Sequence, residues 1–395
     1  MTGRKSLRRV QILGFAAMLT VGYAVPCAFA KDVLRVGALL PLSAPGDVET
    51  GKKLLRTIEL FAEEWNKNAS FRYEVKIVAT DTQDKPQQAA TAAERLITQD
   101  GVHAIVGAHA SSATLAALPV VRRYGVPLVN ASSWADEVTS LGVPSVFRVG
   151  PWNSRVADEL ARWITEAKIT SIGILAEDTD YGLGFISAFK DAAGTQSYKG
   201  SIVTQSFEAN ATDVTPQLIR LRDANPRPQV VFVSSVLPAR ALAIVQAREV
   251  GLTPQTEIVA GWNFPEQKNF WDLVKVAGRG IKYANFSCPK VEPTTVGAEF
   301  NKLWESRTAF GPDQRVYMWW DSMLAIAHAA EQAKSVKPEA LVAALAAIDV
   351  PGTVSRVKFE SGRGVRFHQR TEIPVCVLKL ENVGDTADKA VQVWP

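Results

Sequence analysis

Two periods of apolar spacing alternate along the chain. Val33 to Leu40 is a continuous apolar run broken once by Arg35, the pattern of a strand buried on both faces. From Gly51, residues Leu54, Leu55, Ile58, Phe61, Ala62 and Trp65 recur at helical spacing and predict an amphipathic helix ending near Asn66. Tyr73 to Ala79 reads as a strand, and Pro86 opens a helix with Ala89, Ala93, Leu96 and Ile97 on one face. A third apolar run, His103-Ala-Ile-Val-Gly107, passes through small residues into Ser111 and Ser112 and an alanine-rich helical pattern. Pro119 lies inside that pattern and should kink or break the helix. Val126 to Val129 is the fourth strand, leading into Asn130-Ala-Ser132-Ser133-Trp134.

After Phe147-Arg148-Val149-Gly150-Pro151 the rhythm restarts, with a helix carrying Val156, Leu160, Trp163 and Ile164. Strands follow at Ser171 to Ala176, Ile202 to Phe207, Gln229 to Ser234 and Glu257 to Ala260. Helices lie between them, after Tyr181-Gly182, near Val214 to Arg222 and from Pro238 to Val250. Past Lys282 to Cys288 come helices centred on Phe300, Met323 and Leu341, then strands at Val354 to Phe359 and Ile373 to Leu380. Such alternation implies mainly parallel sheets with helices on both faces. Two α/β halves in tandem are the simplest reading of a chain this long.

The N-terminus changes the charge. Arg4, Lys5, Arg8 and Arg9 precede an apolar run from Val10 to about Ala24, and Ala28-Phe29-Ala30 fits a small-x-small cleavage site. Residues 1–30 are expected to be removed as an export signal, with cleavage after Ala30. Cys27 stands near the site where a lipid anchor attaches, but Pro26 replaces the small residue that precedes such a cysteine. Arg8-Arg9 also brings the twin-arginine route to mind, yet Val10-Gln-Ile12 fits its pattern poorly. Losing this segment takes four of the 44 basic side chains and none of the 40 acidic ones. The balance becomes even, which argues against nucleic acid or anionic lipid as partner. No later stretch approaches the ~20 apolar residues of a membrane span, and a soluble periplasmic protein is expected. The cysteines left, Cys288 and Cys376, could pair in an oxidising compartment or remain two buried thiols.

Catalytic and metal chemistry find little support. There is no G-x-S-x-G elbow, and the histidines are His103, His109, His328 and His368. His109 is the one histidine near a candidate site, and polar lining is its simpler role. No clustered metal-ligand spacing appears, so no enzyme activity, metal or cofactor is expected. The Ser111-Ser112 helix start has more to offer. Its serines either cap the helix or, with the free backbone N–H groups and the positive end of the dipole, hold an anion.

Leu34-Arg-Val-Gly-Ala-Leu-Leu-Pro-Leu-Ser43, Asp81-Thr-Gln-Asp84 before a Gln/Ala-rich helix, Val106-Gly107 with Ser111-Ser112, and Gly125-Val-Pro-Leu-Val resemble the branched-chain amino acid binding family. These are type I periplasmic solute-binding proteins of ABC importers. The likeness continues through Phe147-Arg148, Asp180-Tyr181-Gly182 and Gln246-Ala-Arg-Glu-Val-Gly-Leu252. It implies two Rossmann-like α/β lobes with parallel sheets that close on a ligand like a Venus flytrap. Three hinge crossings are implied, near Val149 to Trp152, Tyr283 to Ser287 and Glu372 to Pro374. Lobe one would take residues 31–150 and 286–371, and lobe two 151–285 and 372–395. The implied partners are a small carboxylate and the membrane permease of an importer, with the protein acting as a monomer.

The resemblance also implies a site. Ser111 with nearby N–H groups, Ser112 among them, would hold the ligand carboxylate, and the loop Ser132-Ser133-Trp134 would give an N–H to the carboxylate and a carbonyl to an ammonium. Tyr181 would reach in from the second lobe. Where amino-acid-binding members place an acid after the Glu257 to Ala260 strand, this chain reads Gly261-Trp262-Asn263-Phe264, with Glu266 the nearest acid. Trp134 stands where a threonine is expected and Val236 where a tyrosine is expected, and the Ser43 to Gly51 loop is short. A buried ammonium without a counter-charge costs several kcal/mol, so these departures point to an acid without an α-amino group. Trp134 and Trp262 suggest an aromatic body. The alternatives are a hydrophobic amino acid partnered by Glu266 or Asp180, and a ligand-sensing module that signals through a partner.

Overall fold

In the computed structural model, residues 1–3, 31–236, 239–261, 264–267, 269–308 and 311–395 are described. The segment from Arg4 to Ala30, expected to be an export signal, and Pro238, Trp262 and Asn263 therefore fall outside the described residues. Strands form where apolar runs are short and helices where they recur every three to four positions. In chain order these are β1 (Asp32–Leu40), α1 (Val48–Lys67), β2 (Tyr73–Asp81), α2 (Pro86–Thr98), β3 (Ala104–Gly107), α3 (Ser111–Tyr124), β4 (Leu128–Asn130), α4 (Glu137–Ser140) and β5 (Val146–Arg148). A second series follows: α5 (Asn153–Glu166), β6 (Ser171–Glu177), α6 (Asp180–Thr195), β7 (Ser201–Phe207), α7 (Thr215–Arg222), β8 (Val230–Ser234), α8 (Ala239–Glu249), β9 (Glu257–Ala260), α9 (Phe270–Val274) and β10 (Lys282–Asn285). Then come α10 (Thr295–Arg307), α11 (Gln314–Ala333), α12 (Pro338–Ala346), β11 (Asp349–Pro351), β12 (Arg356–Ser361), β13 (Phe367–Arg370), β14 (Cys376–Lys379) and β15 (Val391–Trp394).

Two sheets result. The first has the order β11-β12-β13-β5-β4-β3-β1-β2 and the second β15-β14-β10-β9-β8-β6-β7. Within each, the strands joined by crossover helices are parallel, as in β1 against β2 and β3 or β6 against β7 and β8. The sheets are mixed rather than wholly parallel. β12 runs antiparallel to β11 and β13, and β14 runs antiparallel to β10 and β15. β11, β12 and β13 connect through short turns, which reverse the chain, whereas β14 meets β10 after the chain has returned from the other sheet.

The chain passes between the sheets three times, through residues 149–152, 286–294 and 371–375. Tyr283 belongs to β10, so the second crossing starts after Asn285, later than the sequence suggests. Cys288 and Cys376 are joined by a disulfide. The antiparallel pairing of β10 with β14, which sets Asn285 opposite Cys376, brings together cysteines 88 residues apart and ties the second crossing to the third. The strands that lead into the first and third crossings, β5 and β13, are tied by Arg148, whose guanidinium donates to Gln369 Oε1, to Ala135 O at 2.6 Å and to Thr139 Oγ1 at 3.0 Å. Burial pulls the Arg148 pKa down to about 9.

Trp65 and Trp163 are core residues, as their helical positions predict. Trp65 stacks on Phe71 at 3.8 Å and donates its indole N–H to Tyr73 O. Pro119 does not break the helix as the sequence allowed, since α3 runs from Ser111 to Tyr124 with Pro119 inside it. Pro119 lies on its exposed face, where the ring meets solvent and the carbonyl it leaves unpaired can bond water. No described helix is long and apolar enough to cross a membrane.

Candidate functional site

β3 ends at Gly107, whose φ of +121° suits glycine and whose Cβ, if present, would meet Leu39 O at 2.6 Å. The loop beyond it is braced from below. Asn130 Nδ2 donates to the carbonyls of Gly107 and Ala108, both at 3.1 Å, and the Thr114 and Ser133 hydroxyls meet at 2.5 Å. Ser133 belongs to this buried brace, with its N–H donated to Asn130 Oδ1 at 3.0 Å. It does not line the cleft, so its assignment as a ligand contact is corrected: its side chain points under the loop.

The start of α3 sits on this brace and opens into a cavity of about 930 Å³ between the lobes. Neither serine caps the helix. Ala110 is the N-cap residue, and no side chain bonds there. Instead Ser111 Oγ accepts the backbone N–H groups of Trp134 and Ala135, each at 3.1 Å. A hydroxyl has two acceptor positions and one proton; both acceptors are taken, and what Ser111 has left to offer is a donor. The N–H groups of Ser133 and Trp134 are thus engaged within the protein. So are the loop carbonyls: Ser133 O accepts from Arg148, and Trp134 O accepts from the Asn153 N–H at 2.7 Å. Anion donors on this side come from Ser111, Ser112 and the α3 terminus. Ser132 also lines the cavity, its hydroxyl accepting the Trp319 indole N–H.

An aromatic wall adjoins the anion end. The Trp134 ring meets Phe286 edge-on at 5.1 Å and Tyr181 at 6.2 Å. Tyr181 stands at the start of α6 and belongs to the second lobe, whereas Phe286 lies on the second crossing. Val236 also lines the cavity.

Among the polar side chains that sequence reasoning missed and that also face the cavity are Glu177, Arg240, Gln314 and Arg315. Glu177 ends β6, is 1% exposed, and accepts the Val236 N–H at 3.2 Å through Oε2. Its Oε1 has no partner among the described residues, and burial pushes its pKa up to about 7. Arg240, on α8, donates through Nε and Nη2 to Ser235 O, and burial lowers its pKa. Gln314 opens α11 with both side-chain atoms buried and unpartnered among the described residues. Arg315 donates to Thr50 Oγ1 at 2.8 Å and lies 3.8 Å from Asp47. Burial pushes the Asp47 carboxyl up, but Arg315, His109 and Thr50 together hold it below its ordinary value. A charge ending an apolar strand at the carboxyl edge of a sheet is the signal in the sequence that points to Glu177.

His109 lines the cavity with Nδ1 3.3 Å from Asp84 Oδ2. Asp180 also lines it and is exposed. Glu266 does not. It is enclosed by the Tyr283 hydroxyl and Asn285 Nδ2, and burial pushes its pKa up to about 8. Gly261 follows β9 directly, and a Cβ there would lie 3.2 Å from the Tyr181 hydroxyl and 3.6 Å from Arg240 Nε. The position after β9 thus overlies a buried cation. Among the described residues, no group of three or more His, Cys, Asp or Glu side chains is placed to hold a metal.

Residues 33–371 match the family model described as periplasmic binding protein. The Leu/Ile/Val-binding protein homolog 8 of Brucella abortus (strain 2308) is 24% identical over 373 residues, spanning 91% of this chain and 90% of that one. The Streptococcus pneumoniae branched-chain amino acid transporter substrate-binding protein LivJ, solved with isoleucine, superposes with a TM-score of 0.79 at 21% identity, covering 92% of this chain and all of that one. A Rhodopseudomonas palustris ABC transporter solute-binding protein, solved with benzoate, superposes with a TM-score of 0.77 at 19% identity, covering 92% and 96%. At these identities the structural likenesses establish the fold.

Proposed function

The chain belongs to the periplasmic binding protein family, the solute-binding components of ABC transporters, and from that premise we propose that it captures a small aromatic carboxylate and delivers it to a membrane permease. The observation that carries this reading is Ser111. With both acceptor positions filled by the Trp134 and Ala135 N–H groups, its remaining proton stands at the positive end of α3 and asks for an acceptor, which a carboxylate supplies. Ser112 and Ser132 flank that anion, and the Trp134, Phe286 and Tyr181 rings offer edges and faces to a flat apolar body. Val236 adds apolar lining. Arg240 near Gly261 disfavours an ammonium where amino-acid-binding members carry an acid. The benzoate bound by the Rhodopseudomonas protein is consistent with this class. The protein is proposed to act as a monomer in the periplasm after cleavage at Ala30, without enzymatic turnover.

One observation favours a branched-chain amino acid instead. The unpartnered Glu177 Oε1 is an acid on the cavity wall, and the Brucella relative bears a Leu/Ile/Val-binding name. A thermal-shift and tryptophan-fluorescence screen of benzoates, cinnamates, aliphatic acids and amino acids separates the two. Aromatic acids should stabilise the protein. Stabilisation by leucine or valine alone would overturn the aromatic reading. Loss of uptake on gene deletion is expected for a transport component, and intact uptake with altered signalling would assign the protein to a sensor.

A further inference from the structure

Glu177 and Arg240 enter the cavity from neighbouring second-lobe elements, the end of β6 and the start of α8. Both are almost fully buried, at 1% and 5% exposure, yet neither is matched to the other. Among the described residues no ion pair within 4.0 Å joins them. Glu177 spends Oε2 on the Val236 N–H and leaves Oε1 without a partner there. Arg240 spends Nε and Nη2 on one carbonyl, Ser235 O, and a guanidinium has further N–H groups to give. A buried acceptor thus stands beside a buried donor on the wall across the cleft from Ser111.

Charge and hydrogen-bond sense together restrict what fits between them. An ammonium is repelled by Arg240, and a second carboxylate is repelled by ionised Glu177. A purely apolar ligand end would leave Glu177 Oε1 desolvated and unpaired, the more costly outcome for a buried polar atom. A hydroxyl satisfies both sides, because it donates one hydrogen bond and accepts others. We propose that the ligand is a hydroxylated aromatic acid whose ring hydroxyl, remote from the carboxylate held at Ser111, donates to Glu177 and accepts from Arg240. This rests on the aromatic-carboxylate reading and goes beyond it by naming the second functional group and the residues that select it.

Calorimetric titration of the purified protein with benzoate, 4-hydroxybenzoate, 4-methoxybenzoate and terephthalate, and with leucine as a control, tests the assignment. The hydroxy acid should bind at least about tenfold tighter than benzoate, and the methoxy acid, which cannot donate to Glu177, should lose that advantage. In Glu177→Leu and Arg240→Met, the ratio of 4-hydroxybenzoate to benzoate affinity should fall towards one. The wild-type series decides the matter even if a variant does not fold. Equal binding of benzoate and 4-hydroxybenzoate, or tighter binding of terephthalate, would overturn the hydroxyl assignment and leave the aromatic-acid reading standing. Binding of leucine without any aromatic acid would remove the premise itself.

Discussion

Ser111→Ala tests the anion end most directly, because the structure gives that hydroxyl two tasks. It accepts the N–H groups of Trp134 and Ala135, each at 3.1 Å and all at buried positions. A buried donor left without a partner costs about 1–3 kcal/mol. Two donors would cost about twice that if both stayed dry, but the site borders the cavity, so water can replace part of the loss, leaving about 2 kcal/mol. With an unfolding entropy of about 2 cal/mol/K per residue, this corresponds to about 2–4 °C in Tm for a chain of this size. The second task is donation to the ligand. Removing one hydrogen bond to a carboxylate should cost about 1.5–3 kcal/mol, or about ten- to a hundredfold in Kd. Thermal unfolding without ligand and calorimetric titration with an aromatic acid measure the two effects separately. Unaltered Tm would show that the hydroxyl does not hold the loop, and unaltered affinity at lowered Tm would refute its role as ligand donor.

Other consequences can be checked individually. Trp134→Leu keeps an apolar side chain but removes ring contact, and should weaken an aromatic acid about three- to tenfold while sparing aliphatic acids; equal losses for both would deny the ring a role in selection. Asp321→Ala leaves Arg370, fully buried and 2.9 Å from the carboxylate, without its partner, and should cost about 3–5 kcal/mol in chemical denaturation. Glu266 has its pKa raised from 4.5 to about 8, so the folded state holds a proton that the unfolded chain has released. Stability should therefore fall as pH rises from about 4.5 through 8, by a few kcal/mol at most, and Glu266→Gln should abolish that part of the fall. His103, His328 and His368, lowered by burial, act in the opposite sense below about pH 6.5, so the wild-type-minus-variant difference is the quantity to follow. A flat difference between pH 5 and 8 would contradict a protonated Glu266.

The chain's local patterns carried most of the architecture. An apolar run is buried whatever it packs against, and so β1, β3 and β9 lie within a residue or two of where the runs predict them. Ser111 begins a helix as the pattern indicates, and Ser112, Ser132, Trp134 and Tyr181 lie on loops and helix starts that follow strands, where α/β sheets gather their ligands. Short strands such as β11, β13 and β15 left no such trace, because pairing with a distant neighbour makes them strands. The same limit hid the chemistry of the far wall. Arg240 looks like an ordinary basic residue on an alanine-rich helix, Glu177 like a charge closing an apolar strand, and Ser133 like its neighbour Ser132. Only the packing of α8 under β9 brings Arg240 beneath Gly261, and only the direction of each side chain sends Ser132 to the cleft and Ser133 to the brace. Cys288 and Cys376 likewise required the β10–β14 register to meet. Periodicity reports which face of an element is dry, a property of neighbouring residues. The partner of a buried charge, hydroxyl or thiol is chosen by residues far along the chain, and the tertiary structure alone brings them within bonding distance.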